Sequence, residues 1–178
     1  MGYGVARIAD PGWRGSSHFA TPDRLDLHRN LALAFNGTFE HSLDAKNRLT
    51  VPAKFRSALA QGVYLVRRVE DKCVLVYPAD KYAAIAEAAV SGLNPMSRQA
   101  REARRRLFGF ADEMPLDGAG RITLGKTHLQ HAGIGGRDVV IAGVGDALEL
   151  WSPDGWGEYE RSLMQQDSDF DDPLAAPA

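Results

Sequence analysis

Two aspartate–arginine pairs, each spaced four residues apart, carry the clearest chemistry in this sequence. Asp44 and Arg48 lie in Leu43-Asp44-Ala45-Lys46-Asn47-Arg48-Leu49-Thr50-Val51, and Asp117 and Arg121 in Leu116-Asp117-Gly118-Ala119-Gly120-Arg121-Ile122-Thr123-Leu124. An arginine at a hairpin tip can bond phosphates or pair bidentately with guanine O6 and N7. The aspartates can accept hydrogen bonds from turn amides two or three residues on. Asn47 and Gly120 are residue types that tolerate the positive φ of tight hairpin turns. After each turn the residues alternate, so Leu49 and Val51, like Ile122 and Leu124, face one side of a strand. Arg48 and Thr50, like Arg121 and Thr123, face the other. Each copy thus sets an arginine on the open face beside a turn. Lys46 is at the first tip, within reach of a phosphate, and Lys54 and Arg56 follow on a short helix. Read from residue types alone, each arginine pairs with its own aspartate and stiffens the turn.

Other reactive residues form no constellation. His128 and His131 can share a helical face but lack a third ligand, so they read as surface histidines. Cys73 lies in an apolar run and reads as core. The glycine-rich stretches fit turns, without the strand–loop–helix context of a phosphate cradle. The sequence therefore points away from an enzyme, a cofactor, a metal or a small-molecule substrate. The 178 residues carry a formal net charge of −2, so bulk charge offers nothing to a nucleic acid; local clusters must. No apolar stretch approaches the roughly 20 residues that cross a bilayer, and the start shows no signal-peptide pattern. These features place the chain in the cytoplasm and off the membrane.

The elements that hold the turns come twice. Phe35 to Leu43 reads as a strand into the first motif, and Arg48 to Val51 as its return. A short helix, Pro52 to Gln61, follows with proline at its first position. Val63 to Val69 and Cys73 to Tyr77 form a second hairpin. An alanine-rich helix then begins at Pro78 and Asp80 and ends near Gly92. Asn94-Pro95 caps a helix to about Phe108, bearing Arg98, Arg101, Arg104, Arg105 and Arg106. The second copy adds a short helix near Lys126 to Ala132, strands Asp138–Gly143 and Ala147–Trp151, and a helix from Pro153 to Gln166. The two motifs are seventy-three positions apart; Tyr77-Pro78-Ala79-Asp80 and Trp151-Ser152-Pro153-Asp154 are seventy-four apart, so one residue has entered a loop. The chain divides into a disordered extension (1–34), a first repeat (35–92), a basic linking helix (93–107), a second repeat (108–166) and a disordered acidic tail (167–178). Two open hairpin sheets leave unpaired edges, and pairing the halves into one closed barrel removes them.

The stretch from Phe35 to Arg56 closely resembles the opening of MraZ proteins, and Gly143-Val144-Gly145-Asp146 through Trp151 resembles the same family. The resemblance covers about Phe35 to Leu163. It implies an α+β, mainly β fold: an internally duplicated SpoVT–AbrB-like swapped-hairpin barrel with flanking helices. It further implies a bacterial transcriptional regulator, a ring-like homo-oligomer at the nucleoid that binds repeated double-stranded DNA boxes upstream of the division and cell-wall gene cluster. On this basis Arg48, Arg121, Lys46, Lys54 and Arg56 are the expected DNA contacts. Asp44, Asn47, Asp117 and Gly120 remain turn-forming. Family members usually carry glycine where Asn47 stands and proline where Gly125 stands. Two alternatives are an antitoxin-like protein and a purely structural oligomer of the same fold.

Overall fold

The computed structural model describes residues 35–68 and 71–166. The two expected disordered ends, 1–34 and 167–178, lie outside the described residues, as does Val69. In the first half, β1 (Phe35–Ser42), β2 (Arg48–Thr50), β3 (Val63–Arg67) and β4 (Val74–Pro78) lead into α1 (Ala79–Val90). Helix α2 (Arg98–Gly109) links the halves. The second half holds β5 (Ala111–Met114), β6 (Arg121–Thr123), α3 (Lys126–His131), β7 (Asp138–Gly145), β8 (Leu148–Trp151) and α4 (Pro153–Gln166). The architecture is α+β, an antiparallel sheet with flanking helices, as expected.

The strands pair across the halves. Six form one sheet in the order β1-β7-β8-β4-β3-β5, and β2 and β6 form a separate two-stranded ribbon. β1 pairs with β7, and its counterpart β5 pairs with β3. β4 pairs with its own counterpart β8, and β2 with β6. Neither half is a unit; only the β3–β4 and β7–β8 hairpins are internal to one.

The ladder does not close into the expected barrel. β1 and β5 are the edges of the six-stranded sheet, and the ribbon meets it through an isolated bridge between Leu43 and Leu49. Both ribbon strands stop after three residues. After β2, Pro52 has no N–H with which to continue a ladder. Its counterpart Gly125 gives its N–H to His128 Nδ1 at 3.2 Å. Ribbon and sheet nevertheless enclose one core. Leu49, Val51, Ile122 and Leu124 pack with Leu65, Val76, Ile141 and Leu150, all at most 1% exposed. The alternation expected around the two turns is thus present.

Three local expectations change. The stretch from Pro52 to Gln61 is a single 3-10 turn, Ala53–Phe55, followed by further turns rather than a helix. The linking helix begins later than Asn94-Pro95: Asn94 closes a turn by accepting from Met96 N–H, and Ser97 caps the helix, accepting from Ala100 N–H at 3.0 Å. The single inserted residue is the net of two changes. Twelve residues separate Thr50 from Val63, but fifteen separate their counterparts Thr123 and Val139. Eight separate Val66 from Leu75, but six separate Ala142 from Glu149.

Candidate nucleic-acid interface

Each turn is built around one carboxylate. Asp44 Oδ1 accepts from the N–H of Lys46 at 2.8 Å and of Arg48 at 3.0 Å. Asp117 Oδ1 does the same for Ala119 at 2.9 Å and Arg121 at 3.0 Å. The bonds run to the second and fourth amides beyond each aspartate, a slightly wider reach than the expected two or three. Asn47 and Gly120 take φ of +56° and +73°, the left-handed position for which those residue types are suited.

The second oxygen of each carboxylate holds an arginine. Arg48 Nε donates to Asp44 Oδ2 at 2.6 Å, and its Nη2 lies 2.6 Å from the same atom. In the second turn the distances are 2.8 and 2.7 Å to Asp117 Oδ2. The stiffening read from residue types alone is therefore present in both copies. Their carboxyls sit well below the usual range, Asp117 at about 2, chiefly because the arginine side-chain bond favours the charged form. Both turns are locked ionised at neutral pH.

The two pairs also meet. Because β2 lies antiparallel to β6, with Arg48 opposite Thr123 and Thr50 opposite Arg121, the four charges gather on one ribbon. Arg48 Nη1 reaches to 4.0 Å from Asp117, and Arg121 Nη1 to 3.7 Å from Asp44. The two guanidinium groups, each about 30% exposed, keep Nη1 hydrogens free of any short bond within the quartet. The signal was available in the repeat itself, since a twofold axis through a duplicated hairpin sets like strands side by side.

The remaining candidates are placed unequally. Lys46 is exposed at the first tip. Arg56, from the first half, lies across the second turn: its Nε donates to Val51 O at 3.0 Å, and a Cβ on Gly120 would stand 2.5 Å from that Nε. Lys54 turns toward β1 instead. Its Nζ donates to Asn36 O at 2.9 Å and stands 4.5 and 4.6 Å over the rings of Phe39 and Phe55.

His128 is a correction. It is buried, not a surface histidine, because the chain folds Asp112 of β5 within 2.9 Å of its Nε2. Burial pushes its pKa down, with Asp112 opposing. Cys73 is core, as expected, and burial raises its thiol pKa to about 12. No group of three or more metal-capable side chains occurs among the described residues, and no helix there is long and apolar enough to cross a membrane.

The family model of the MraZ protein matches twice, over residues 34–106 and 107–175. The chain is 45% identical over 128 residues to the transcriptional regulator MraZ of Corynebacterium diphtheriae, covering 71% of this chain and 86% of the relative. It is 41% identical over 130 residues to that of Mycolicibacterium smegmatis, covering 72% and 87%. For the protein of that name from a Nocardioides species the figures are 38% over 139 residues, with 78% and 94% covered. Matched in both halves and across most of its length, this chain belongs to the MraZ family.

Proposed function

We propose that this chain is a sequence-specific DNA-binding transcriptional regulator of the division and cell-wall gene cluster, working in the bacterial cytoplasm at the nucleoid. The observation that carries the reading is the convergence of the two aspartate–arginine turns on one ribbon. The relatives' name, transcriptional regulator, supports it. The exchange of β1 and β5 between halves supports the swapped-hairpin fold of such regulators.

The aspartates act as orienting groups. Each uses one oxygen to fix Nε and Nη2, so the guanidinium enters the interface in a set plane, and the other arginine hydrogens face outward to phosphate or a guanine edge. Two arginines and two aspartates are neutral together, so the quartet supplies geometry rather than net charge. Lys46 and Arg56 add the positive charge that draws in the backbone; Lys54, held over two aromatic rings, contributes less. One chain of net charge −2 binds weakly. A ring-like homo-oligomer meeting successive DNA boxes gains roughly 10²–10⁴-fold over one site. Met96 and Phe108, both exposed on or beside α2, are apolar surface such an assembly would cover.

The test is operator affinity across a salt series, using duplex DNA from upstream of the protein's own gene, with oligomer size followed by light scattering. Arg48→Ala with Arg121→Ala abolishes specific binding and leaves the assembly intact. Lys46→Ala flattens the salt dependence by about 0.9 log units for each phosphate it no longer neutralises. Wild-type affinity in a correctly assembled double mutant would assign the arginines to turn structure alone.

A further inference from the structure

The outer face of the sheet is closed differently over its two halves. Val74, Val76, Leu148 and Leu150 face the core, so the alternate residues Tyr77 and Trp151 face outward on β4 and β8. Each meets the helix that follows it. In the second half Trp151 stacks on Tyr159 of α4 with centroids 5.1 Å apart, and Trp156 completes the cluster. The counterparts of Trp151, Trp156 and Tyr159, seventy-four positions earlier, are Tyr77, Tyr82 and Ile85. Ile85 has no ring to lay on Tyr77 and is 37% exposed. A groove of about 340 Å³ is left there, floored by Tyr77, Tyr82 and Ile85 and rimmed by Arg68 and Arg106. Helix α2 forms its far wall, fixed by the Tyr82 hydroxyl, which donates to Leu107 O at 2.5 Å.

The rim carries two arginines. Arg68 has a loose partner in Asp71 at 3.4 Å. Arg106 makes no ion pair among the described residues. The groove thus asks for an occupant with an aromatic or aliphatic side chain set among carboxylates. The most acidic such segment outside the described residues is Asp167-Ser168-Asp169-Phe170-Asp171-Asp172-Pro173-Leu174. It follows α4, which packs on the same outer face of the sheet. Fully extended, the chain carries Phe170 up to roughly 14 Å and Leu174 up to roughly 27 Å from Gln166, the end of α4. Tethering also holds the segment at an effective concentration on the order of millimolar.

We infer that the groove between α1, α2 and the β3–β4 hairpin is the docking site of this chain's own acidic C-terminal segment, Phe170 filling the floor and the flanking aspartates pairing with Arg68 and Arg106. The segment stands where the second half has Tyr159, and it neutralises the basic end of α2.

The test uses the full-length protein with a photoreactive benzophenone amino acid in place of Phe170 and, separately, of Leu174. After irradiation, cross-linked peptides are mapped by mass spectrometry on an equal mixture of isotope-labelled and unlabelled protein. The expected result is cross-links within one chain to the Tyr77–Ile85 stretch or to Leu107. Arg68→Glu with Arg106→Glu lowers their yield roughly tenfold, the effect of removing a charge-assisted bond, while circular dichroism stays unchanged. Ile85→Trp, which fills the groove from below, lowers it without touching charge. Cross-links scattered over the surface, cross-links only between labelled and unlabelled chains, or an unchanged yield in both variants would overturn the inference. No DNA enters the measurement, so its outcome is separate from that of the proposed function.

Discussion

The two halves fill one structural position in opposite ways. In the first, Phe39 and Phe55 meet edge to face at 5.8 Å, Phe35 joins them at 5.2 Å, and Lys54 caps the rings. Seventy-three positions on, Phe39 becomes Asp112 and Phe55 becomes His128, 2.9 Å apart. The counterpart of Phe35 is Phe108, 56% exposed on α2. The turns differ too: Asn47 carries a side chain at positive φ, whereas Arg56 lies against Gly120. What both halves share is backbone hydrogen bonding around one aspartate; what fills the space beneath has diverged. One half is held by apolar contact, indifferent to pH, and the other sets a buried histidine against an exposed carboxylate.

The largest effect that would sharpen this contrast is Phe55→Ala. Removing a buried ring that packs on two other rings and a lysine should cost about 3–5 kcal/mol, read from denaturant midpoints, and should exceed the cost of His128→Ala. Next is Gly120→Ala. A methyl group at φ +73° facing Arg56 should cost about 1–3 kcal/mol, and adding Arg56→Ala should recover part of it. If Gly120→Ala proved harmless, the two turns would be equivalent after all.

A smaller effect follows from His128. Its Nδ1 accepts from Gly125 N–H, so the neutral ring carries its proton on Nε2, facing Asp112, though off the line of a good hydrogen bond. Burial lowers its folded pKa below the ordinary 6.5. Its contribution to stability is therefore complete above 6.5 and lost as pH falls through the folded value. Urea midpoints should decline over that window in the wild type and flatten in Asp112→Phe with His128→Phe, which rebuilds the first-half pair. The depressed aspartates Asp44 and Asp117 act lower, their contribution present above about 3.8 and lost toward 2 and below. The smallest change is Asn47→Gly, expected within about 0.5 kcal/mol, since the position already adopts the glycine-like conformation.

What was legible in the sequence was local. The turns can be read because aspartate, a positive-φ residue and alternating apolar residues act within a few positions of one another. The start of α2 is harder to place because Asn94-Pro95 resembles a cap, yet Asn94 spends its side chain on a turn and Ser97 supplies the acceptor. At 52–61 the sequence reads as a helix because Phe55 and Leu59, four apart, are both core, yet a 3-10 turn and further turns bury the same two residues. The burial of His128 has a distant cause: its partner arrives on β5, sixteen residues earlier, and periodicity within α3 says nothing of that. Setting the halves in register exposes it, because the buried Phe55 stands at the same position. The meeting of the four charges is likewise hidden in the pairing of like strands, which no single half encodes.

That pairing has a consequence for how the protein is made. Phe35 finds its ladder partner in Gly145, and Ser42 in Asp138. At about 5–20 residues per second, a ribosome takes on the order of ten seconds to supply β7 after β1 has been synthesised. Through that interval the nascent first half holds little beyond its β3–β4 hairpin, with Phe35 and Phe39 bare, and chaperones have their window there. A chain cut between the repeats lacks β7 and β8, and with them the ladder partners of β1 and β4.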